Sequence, residues 1–311
     1  MIPDGRTPVF VVTGFLGSGK TTLVNELVKK LGETLVIVNE FGEVPVDHHL
    51  LQVAEERAVA LPNGCLCCHL RGDLEETLIG AAMRRRRGEI AGFDRVIVET
   101  SGLADPGPVA QTLYADRALE RDFKLGPIVT VVDASEAGNR NLGLSIAKSQ
   151  IAAADVVVLS KTDLSHDASG IEDEIRELNA HARRVRARFG DVDPALLEKS
   201  GTDPVFSSVA HHDHGFHSFV LEFDRPPRKD LLERFLALLV ELRGADLLRV
   251  KGIVALADGE HVAVQGVRHV FDRLRPIANR PASGLVFITQ NMAKHDVVAL
   301  WQAMSSLEGS A

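Results

Sequence analysis

Short apolar runs alternate with helical stretches along the first two-thirds of the chain. The runs are rich in β-branched residues and nearly continuous, which is typical of strands covered on both faces in a parallel sheet. They lie at 9–12, 34–38, 95–98, 128–132 and 156–159. Helical segments separate them, for example at 22–31 and 171–178. This alternation predicts an α/β domain, a doubly wound and mostly parallel sheet.

The pattern changes near Val205, after which a short polar segment contains four histidines, His211, His212, His214 and His217. We expect this segment to be a linker or exposed loop. The remaining apolar runs predict strands at 218–223, 249–256, 260–265 and 284–289 and helices at 229–242 and 293–304. Asp258-Gly259 between two of these strands is typical of a hairpin turn. The predicted organisation is a domain at 1–209, a linker at 210–217 and a smaller α+β domain with an antiparallel sheet at 218–311.

The length of 311 residues agrees with one large and one smaller domain. A net charge of −8, from 35 basic and 43 acidic side chains, gives no bulk attraction for nucleic acid. No stretch approaches the roughly 18 apolar residues needed to span a bilayer, and the first residues do not resemble an export signal. We therefore expect a cytoplasmic protein without a nucleic-acid or membrane partner.

A phosphate-binding motif follows the first predicted strand and opens the first predicted helix. Residues 14–21, Gly-Phe-Leu-Gly-Ser-Gly-Lys-Thr, match G-x-x-x-x-G-K-[ST] in the context that this motif requires. Glycines let backbone N–H groups turn inward around phosphates, and the helix N-terminus adds positive potential. Lys20 would neutralise the β- and γ-phosphates, and the Thr21 hydroxyl would ligate Mg²⁺. The nucleotide-binding residues predicted here are Gly14, Gly17, Ser18, Gly19, Lys20, Thr21 and Thr22.

An acidic residue should end a neighbouring strand and hold Mg²⁺ or its water. Glu99 directly follows the apolar run at 96–98 and is the candidate. Gly102, three residues on, could approach the γ-phosphate through its backbone. We assign Lys20 and Glu99 to catalysis.

Ser160-Lys161-Thr162-Asp163 follows the last strand of the first domain and resembles the guanine-binding sequence Asn-Lys-x-Asp. The Asp163 carboxylate can accept hydrogen bonds from the guanine N1–H and exocyclic amine, a donor pair that adenine lacks. The Lys161 stem can lie across the base. Ser160 replaces the usual Asn, so guanine selectivity depends mainly on Asp163.

All three cysteines of the chain, Cys65, Cys67 and Cys68, lie within four positions. An odd number so closely spaced is a poor disulfide framework, whereas thiolates prefer Zn²⁺, Cu⁺ or, less strongly, Co²⁺ over Mg²⁺. Steric limits favour two thiolates on one ion, with a further ligand from elsewhere. The candidates for that ligand are His69, His48, His49, Glu40 and Glu43.

Together these motifs resemble one family, the CobW-type metallochaperone GTPases. The resemblance extends over essentially the whole chain. It rests on residues 14–22, 39–43 (Asn-Glu-Phe-Gly-Glu), 64–68 (Gly-Cys-Leu-Cys-Cys), 99–106 (Glu-Thr-Ser-Gly-Leu-Ala-Asp-Pro), 160–163 and 249–253.

The resemblance implies a G domain whose metal site is built from the Cys-x-Cys-Cys motif. GTP with Mg²⁺ would favour the metal-binding form, and hydrolysis would favour release to a client. Members are associated with zinc, cobalt, the activation of metalloenzymes such as nitrile hydratase, and cobalamin synthesis. The segment after Asn39 would be a switch, with Glu40 as a catalytic switch carboxylate.

The sequence thus predicts a GTPase that delivers Zn²⁺ or Co²⁺ to a client metalloenzyme or a cobalamin-pathway protein, and we allow for a homodimer. The alternative is a P-loop small-molecule kinase or synthetase with a structural zinc site, although no acceptor pocket is visible in the sequence. A membrane or scaffold ATPase is disfavoured by Asp163 and by the lack of membrane or polybasic segments. We expect the basic run at 84–87 to be a solvated helix end, and Phe287 and Trp301 to pack the small domain.

Overall fold

The computed structural model of the chain describes residues 5–38, 58–60, 69–135, 141–164, 169–198, 212–213, 215–277 and 284–308. These residues fall into two compact units. The first lies within 1–173 and 182–201, and the second within 174–181 and 202–311. None of the helices in these ranges combines the length and the apolar character that crossing a membrane requires.

In the described part of the first unit, seven strands form one sheet in the order β3-β2-β4-β1-β5-β6-β7. Every pairing in it is parallel. The strands are β1 (Thr7–Thr13), β2 (Thr34–Val38), β3 (Ala58–Ala60), β4 (Arg95–Glu99), β5 (Phe123–Asp133), β6 (Val156–Ser160) and β7 (Arg183–Arg186). The predicted doubly wound parallel domain is confirmed. The apolar runs became strands because both faces of the sheet are covered, so every residue of β6 is buried.

Helices lie between these strands, and the last one follows β7. They are α1 (Lys20–Leu31), α2 (His69–Arg86), α3 (Gly107–Ala115), α4 (Arg117–Asp122), α5 (Ser145–Ala153), α6 (Ser169–Leu178) and α7 (Ala195–Glu198). The first, α1, buries Leu23, Val24 and Leu27 against the sheet, at the spacing of one helical face. It ends at Gly32, whose φ of 73° lies in the left-handed region that favours glycine.

The basic run closes α2, and its residues differ in their surroundings. The Arg85 guanidinium lies 4.7 Å over the Phe93 ring, and its Nη1 donates to the Phe93 carbonyl at 2.7 Å. It also donates to Thr7 Oγ1 at 3.1 Å. The expectation of a solvated helix end was therefore wrong for Arg85, because the guanidinium can satisfy its donors and stack on an aromatic face at once. Arg86 stays exposed and pairs with Asp122.

In the described part of the second unit, the strands form an antiparallel sheet in the order β12-β11-β10-β14-β9-β8, and β13 pairs with β11. The strands are β8 (His212–Asp213), β9 (Phe216–Leu221), β10 (Leu247–Ala255), β11 (His261–Val267), β12 (Val270–Phe271), β13 (Arg275–Pro276) and β14 (Gly284–Gln290). The helices are α8 (Lys229–Arg243) and α9 (Lys294–Glu308). The predicted antiparallel α+β unit is confirmed, as is the hairpin between β10 and β11.

Aromatic side chains pack together within the largely aliphatic core of this second unit. Phe287 is fully buried and stacks on Phe219 with ring centroids 5.4 Å apart. Trp301 meets Phe223 and Phe235 edge-on at 4.9 and 5.2 Å. The expectation that Phe287 and Trp301 pack this unit is confirmed.

The histidine-containing segment differs from the loop that we expected. His212 pairs with His217, and Asp213 pairs with Phe216, so the described part of this segment begins the sheet. Gly215 makes this possible: its φ is 85°, and a Cβ there would lie 2.6 Å from Asn291 Oδ1. His211 and His214 lie outside the described residues.

Candidate functional site

The phosphate motif forms the turn between β1 and α1. Gly14, Gly17 and Gly19 have φ values of 141°, 72° and 96°. A Cβ on Gly14 would lie 2.2 Å from the Val131 carbonyl oxygen, so that position also lacks space for a side chain. The turn therefore requires glycine at these positions. The turn lies directly before the N-terminus of α1, where backbone N–H groups can bind phosphate.

Lys20 is the first residue of α1, and its side chain folds back over the loop. Its Nζ donates to the Gly14 carbonyl at 3.0 Å and to the Phe15 carbonyl at 3.2 Å. The ammonium group is thereby held above the turn, where its charge can attract phosphate.

Thr21 and Glu99 meet at the carboxyl edge of the sheet. The Thr21 hydroxyl donates to Glu99 Oε1 at 2.6 Å. Glu99 ends β4 and is paired in register with Val12 of β1, just before the phosphate loop. A hydroxyl and a carboxylate are oxygen ligands of the kind that Mg²⁺ takes beside nucleotide phosphates, so the residues present suit that ion.

The loop after β4 lies against the phosphate loop. Thr100 donates to Thr13 Oγ1 through its hydroxyl at 2.8 Å and to the Val12 carbonyl through its amide at 2.9 Å. A Cβ on Gly102 would lie 2.6 Å from the Leu16 amide nitrogen. Gly102 does not have a positive φ, so the absence of a side chain serves this close approach.

Residues 160–163, called the base loop here after their predicted role, begin at the end of β6 and contact the phosphate loop, residues 14–21, through Ser160. Its Oγ donates to the Ser18 carbonyl at 2.6 Å, so the residue that replaces asparagine ties the two loops together. Lys161, at φ 52°, extends its Nζ to Asp133 Oδ2 at 2.6 Å. Asp163 is exposed in the same loop.

Sequence reasoning missed Asp133, which ends β5 beside this loop. Burial would raise the pKa of its carboxyl, but hydrogen bonds from Lys161 and Ser135 outweigh burial and hold the pKa below its ordinary value. Asp133 therefore stays ionised and fixes the Lys161 ammonium. The available signal was an acidic residue directly after an apolar run, the same signal that identified Glu99.

Sequence reasoning also missed the loop that follows β7. The Ala187 amide donates to the Leu159 carbonyl at 2.7 Å, and its carbonyl accepts from Thr162 Oγ1 at 3.3 Å. A Cβ on Gly190 would lie 2.8 Å from the Thr22 carbonyl oxygen. Phe189 between them has a φ of 53° and is 78 % exposed. This loop thus lies between the base loop and the start of α1.

The structure places most of the predicted site residues at the carboxyl ends of β1, β4 and β6, in the loops that follow these strands or in the first turn of α1. These are Gly14, Gly17, Ser18, Gly19, Lys20, Thr21, Thr22, Glu99, Gly102, Lys161 and Asp163. Of the remaining predictions, His69 is the first residue of α2. The others lie outside the described residues: Glu40, Glu43, His48, His49, Cys65, Cys67 and Cys68. Within the described ranges, no group of three or more His, Cys, Asp or Glu side chains is arranged to hold a metal. The thiolate site stays a prediction.

Two family models match the chain. The nucleotide-binding domain of CobW/HypB/UreG matches residues 8–186, and the C-terminal domain of the cobalamin synthesis protein cobW matches residues 216–305. The chain belongs to the CobW/HypB/UreG family. The two matches of this CobW-family protein correspond to the parallel and antiparallel sheets described above.

Individual relatives are similar to this CobW-family chain over nearly its whole length. The zinc chaperone YjiA of Escherichia coli is 33 % identical over 95 % of this chain and 98 % of its own. The zinc chaperone CobW of Pseudomonas aeruginosa is 32 % identical over 86 % of this chain and 82 % of its own. The crystal structure of Zn(II)-bound YjiA GTPase from E. coli superimposes with a TM-score of 0.71 at 26 % identity, over 96 % of this chain and 99 % of that one.

Proposed function

We propose that this protein hydrolyses GTP and uses the nucleotide to control a transition-metal ion, Zn²⁺ or Co²⁺, which it carries to a client metalloenzyme or a cobalamin-pathway protein. The observation that carries the proposal is the contact between Thr21 Oγ1 and Glu99 Oε1, 2.6 Å long, beside a complete phosphate loop. The names of the relatives support zinc as the metal that is carried. Two of these relatives are named zinc chaperones, and one from Schizosaccharomyces pombe is named a zinc-regulated GTPase metalloprotein activator.

Hydrolysis needs charge stabilisation more than covalent chemistry, because phosphoryl transfer passes through a loose transition state. Lys20 would neutralise the β- and γ-phosphates, while Thr21 and Glu99 would hold Mg²⁺ or its water. The backbone of Gly102 would contact the γ-phosphate. Glu40, in the predicted switch segment after Asn39, would serve as a catalytic carboxylate. The products are GDP and phosphate.

Guanine would be recognised by the base loop. Asp163 would accept from the guanine N1–H and amine, and the Lys161 stem would cover the ring. The ion pair between Lys161 and Asp133 limits where that stem can lie. The hydrogen bond from Ser160 to the Ser18 carbonyl would keep base and phosphate recognition in fixed relation.

The register of the sheet supports coupling between nucleotide and cargo. Glu99 pairs with Val38 of β2, which pairs with Ala60 at the end of β3. Adjacent strands are about 4.8 Å apart, so Ala60 is about 10 Å from Glu99 along the same level. Residues 61–68, which include the three cysteines, directly follow Ala60 in the sequence. We infer that their thiolates bind the metal and that the switch after Val38 transmits the nucleotide state to them.

The test is a Co²⁺ titration that follows the thiolate charge-transfer band, once with a non-hydrolysable Mg-GTP analogue and once with Mg-GDP. We expect affinities that differ by about 5- to 150-fold, and linkage requires that Co²⁺ tighten the GTP analogue by the same factor. Cys67→Ala should lose the band but keep nucleotide binding. Equal affinities in the two nucleotide states would overturn the coupling, and are what a kinase or synthetase with structural zinc would show.

A further inference from the structure

One buried amide outside all of the motifs holds the loop that follows Glu99. Gln150 lies in α5 and is 1 % exposed. Its Nε2 donates to the Ala104 carbonyl at 2.9 Å and to the Gly102 carbonyl at 3.3 Å. Both hydrogens of one side-chain amide are thereby used on two carbonyls of a single turn.

The same turn is held from within by Ser101. The Leu103 amide lies 3.4 Å from Ser101 Oγ, and the Ala104 amide donates to the Ser101 carbonyl at 3.0 Å. The peptide between Gly102 and Leu103 is therefore fixed at both ends, its carbonyl by Gln150 and its N–H by Ser101. Fixing this peptide sets the direction of the chain where Gly102 meets Leu16.

Gln150 is itself fixed by the sheet. Its backbone carbonyl accepts from Thr130 Oγ1 at 2.7 Å, and Thr130 of β5 pairs in register with Thr13 of β1. Thr13 Oγ1 in turn accepts from Thr100, which precedes the turn. The contacts close a polar ring through β1, β5, α5 and the loop after β4. Buried polar groups that are all satisfied in this way favour one arrangement of a loop over others.

We propose that Gln150 is a positioning residue for GTP hydrolysis. It holds the turn at 101–104 against the phosphate loop, so that the backbone of Gly102 is already placed when the γ-phosphate binds. This inference rests on the proposed GTPase function, and it assigns to Gln150 no contact with nucleotide or metal.

A positioning role and a general stabilising role predict different results. The turn lies where the γ-phosphate would bind, and GDP has none. Loss of positioning should therefore lower kcat and weaken a GTP analogue while leaving GDP affinity unchanged. A loss of stability alone would weaken GDP and the GTP analogue in the same proportion.

The variant that separates them is Gln150→Met, which keeps the side-chain length and removes both donors. Gln111→Met is the matched control, because Gln111 is a buried glutamine of the same unit whose Oε1 has no hydrogen-bond partner within the described residues. We expect Gln150→Met to lower kcat about 10- to 100-fold, as small misplacements in active sites do, with GDP affinity within twofold of wild type. Gln111→Met should match wild type in both.

A second variant gives a pH signature. The carboxylate of Gln150→Glu cannot donate, but its protonated form can donate to one carbonyl again, and burial raises the pKa of such a carboxyl. Its kcat relative to wild type should rise as the pH falls, whereas the ratio for Gln150→Met should stay flat. Wild-type kcat and wild-type preference for the GTP analogue in both variants would overturn the inference. Absence of GTP turnover in the wild-type protein would instead overturn the proposed function.

Discussion

Replacing Gly102 with alanine tests how closely the loop after β4 approaches the phosphate loop. The new Cβ would lie 2.6 Å from the Leu16 amide nitrogen and 2.8 Å from its Cα. These are backbone atoms, so no change of rotamer relieves the contact, and ordinary separation at 3.4 Å requires the loops to part by about 0.8 Å. Overpacking of this kind costs about 1–3 kcal/mol. A shift near 1 Å in an active site can also lower kcat by about 100-fold.

Urea unfolding and GTP turnover measured on the same preparations separate the two effects. Gly80→Ala is the control, because Gly80 lies inside α2 and a Cβ there would have nothing within 4 Å. Alanine inside a helix is more stable than glycine by about 0.5–1 kcal/mol. The two glycine-to-alanine changes should therefore shift the free energy of unfolding in opposite directions, and Gly80→Ala should leave kcat unchanged.

Wild-type stability together with wild-type turnover in Gly102→Ala would refute the close approach of the two loops. A variant that is less stable but has full turnover would support the close approach of the two loops and would show that Gly102 is not part of the hydrolytic site.

Four further changes have defined outcomes. Lys20→Ala should abolish GTP hydrolysis while circular dichroism shows the fold intact, and turnover at the wild-type rate would refute the phosphate-loop assignment. Asp163→Ala should reduce the preference for GTP over ATP in competition binding by about 1–3 kcal/mol per unpaired group; equal competition by ATP and GTP in the wild-type protein would contradict it. Asp133→Asn should reduce the decrease in the free energy of unfolding that occurs as the pH falls into the acid range. The pKa of Asp133 is held below its ordinary value by Lys161 and Ser135, so its contribution is present above about pH 4 and is lost as the pH falls through the lowered pKa. Urea unfolding between neutral and acid pH measures this, and parallel curves for the two proteins would argue against it. Phe189→Asn should raise the free energy of unfolding by about 1 kcal/mol, because asparagine tolerates the left-handed φ better than an exposed aromatic residue does; an unchanged urea midpoint would count against strain at this position.

Local pattern was sufficient to predict the buried strands and the motifs placed at their ends. β2 matches its predicted range, and β1, β4, β5 and β6 extend beyond theirs by one or more residues, because each is an apolar run covered on both faces. β3 and β7 were missed for a physical reason. One has three residues, and the other has three arginines in four positions, which is typical of an edge strand.

The connections between loops were not predictable from local pattern. Gln150 meets its two acceptors across 46 and 48 positions of sequence, and Ser160 meets Ser18 across 142. Such pairs follow from the tertiary arrangement of the strands, which residue spacing does not contain. The same holds for His212 and His217, whose pairing depends on a sheet that forms from residues farther along the chain.

Four residues pair in register across neighbouring strands: Val12, Glu99, Val38 and Ala60. Their alignment affects how the sequence of such a protein can diverge. All of these strands are parallel and end at the same edge of the sheet, and each is followed by its own connecting segment of the sequence. A new set of ligands can therefore be grafted between β3 and α2 without altering the strands or the loops that would bind nucleotide. Under the proposed function, exchanging residues 61–68 between relatives that bind different metals should change the metal that is carried and leave nucleotide binding unchanged.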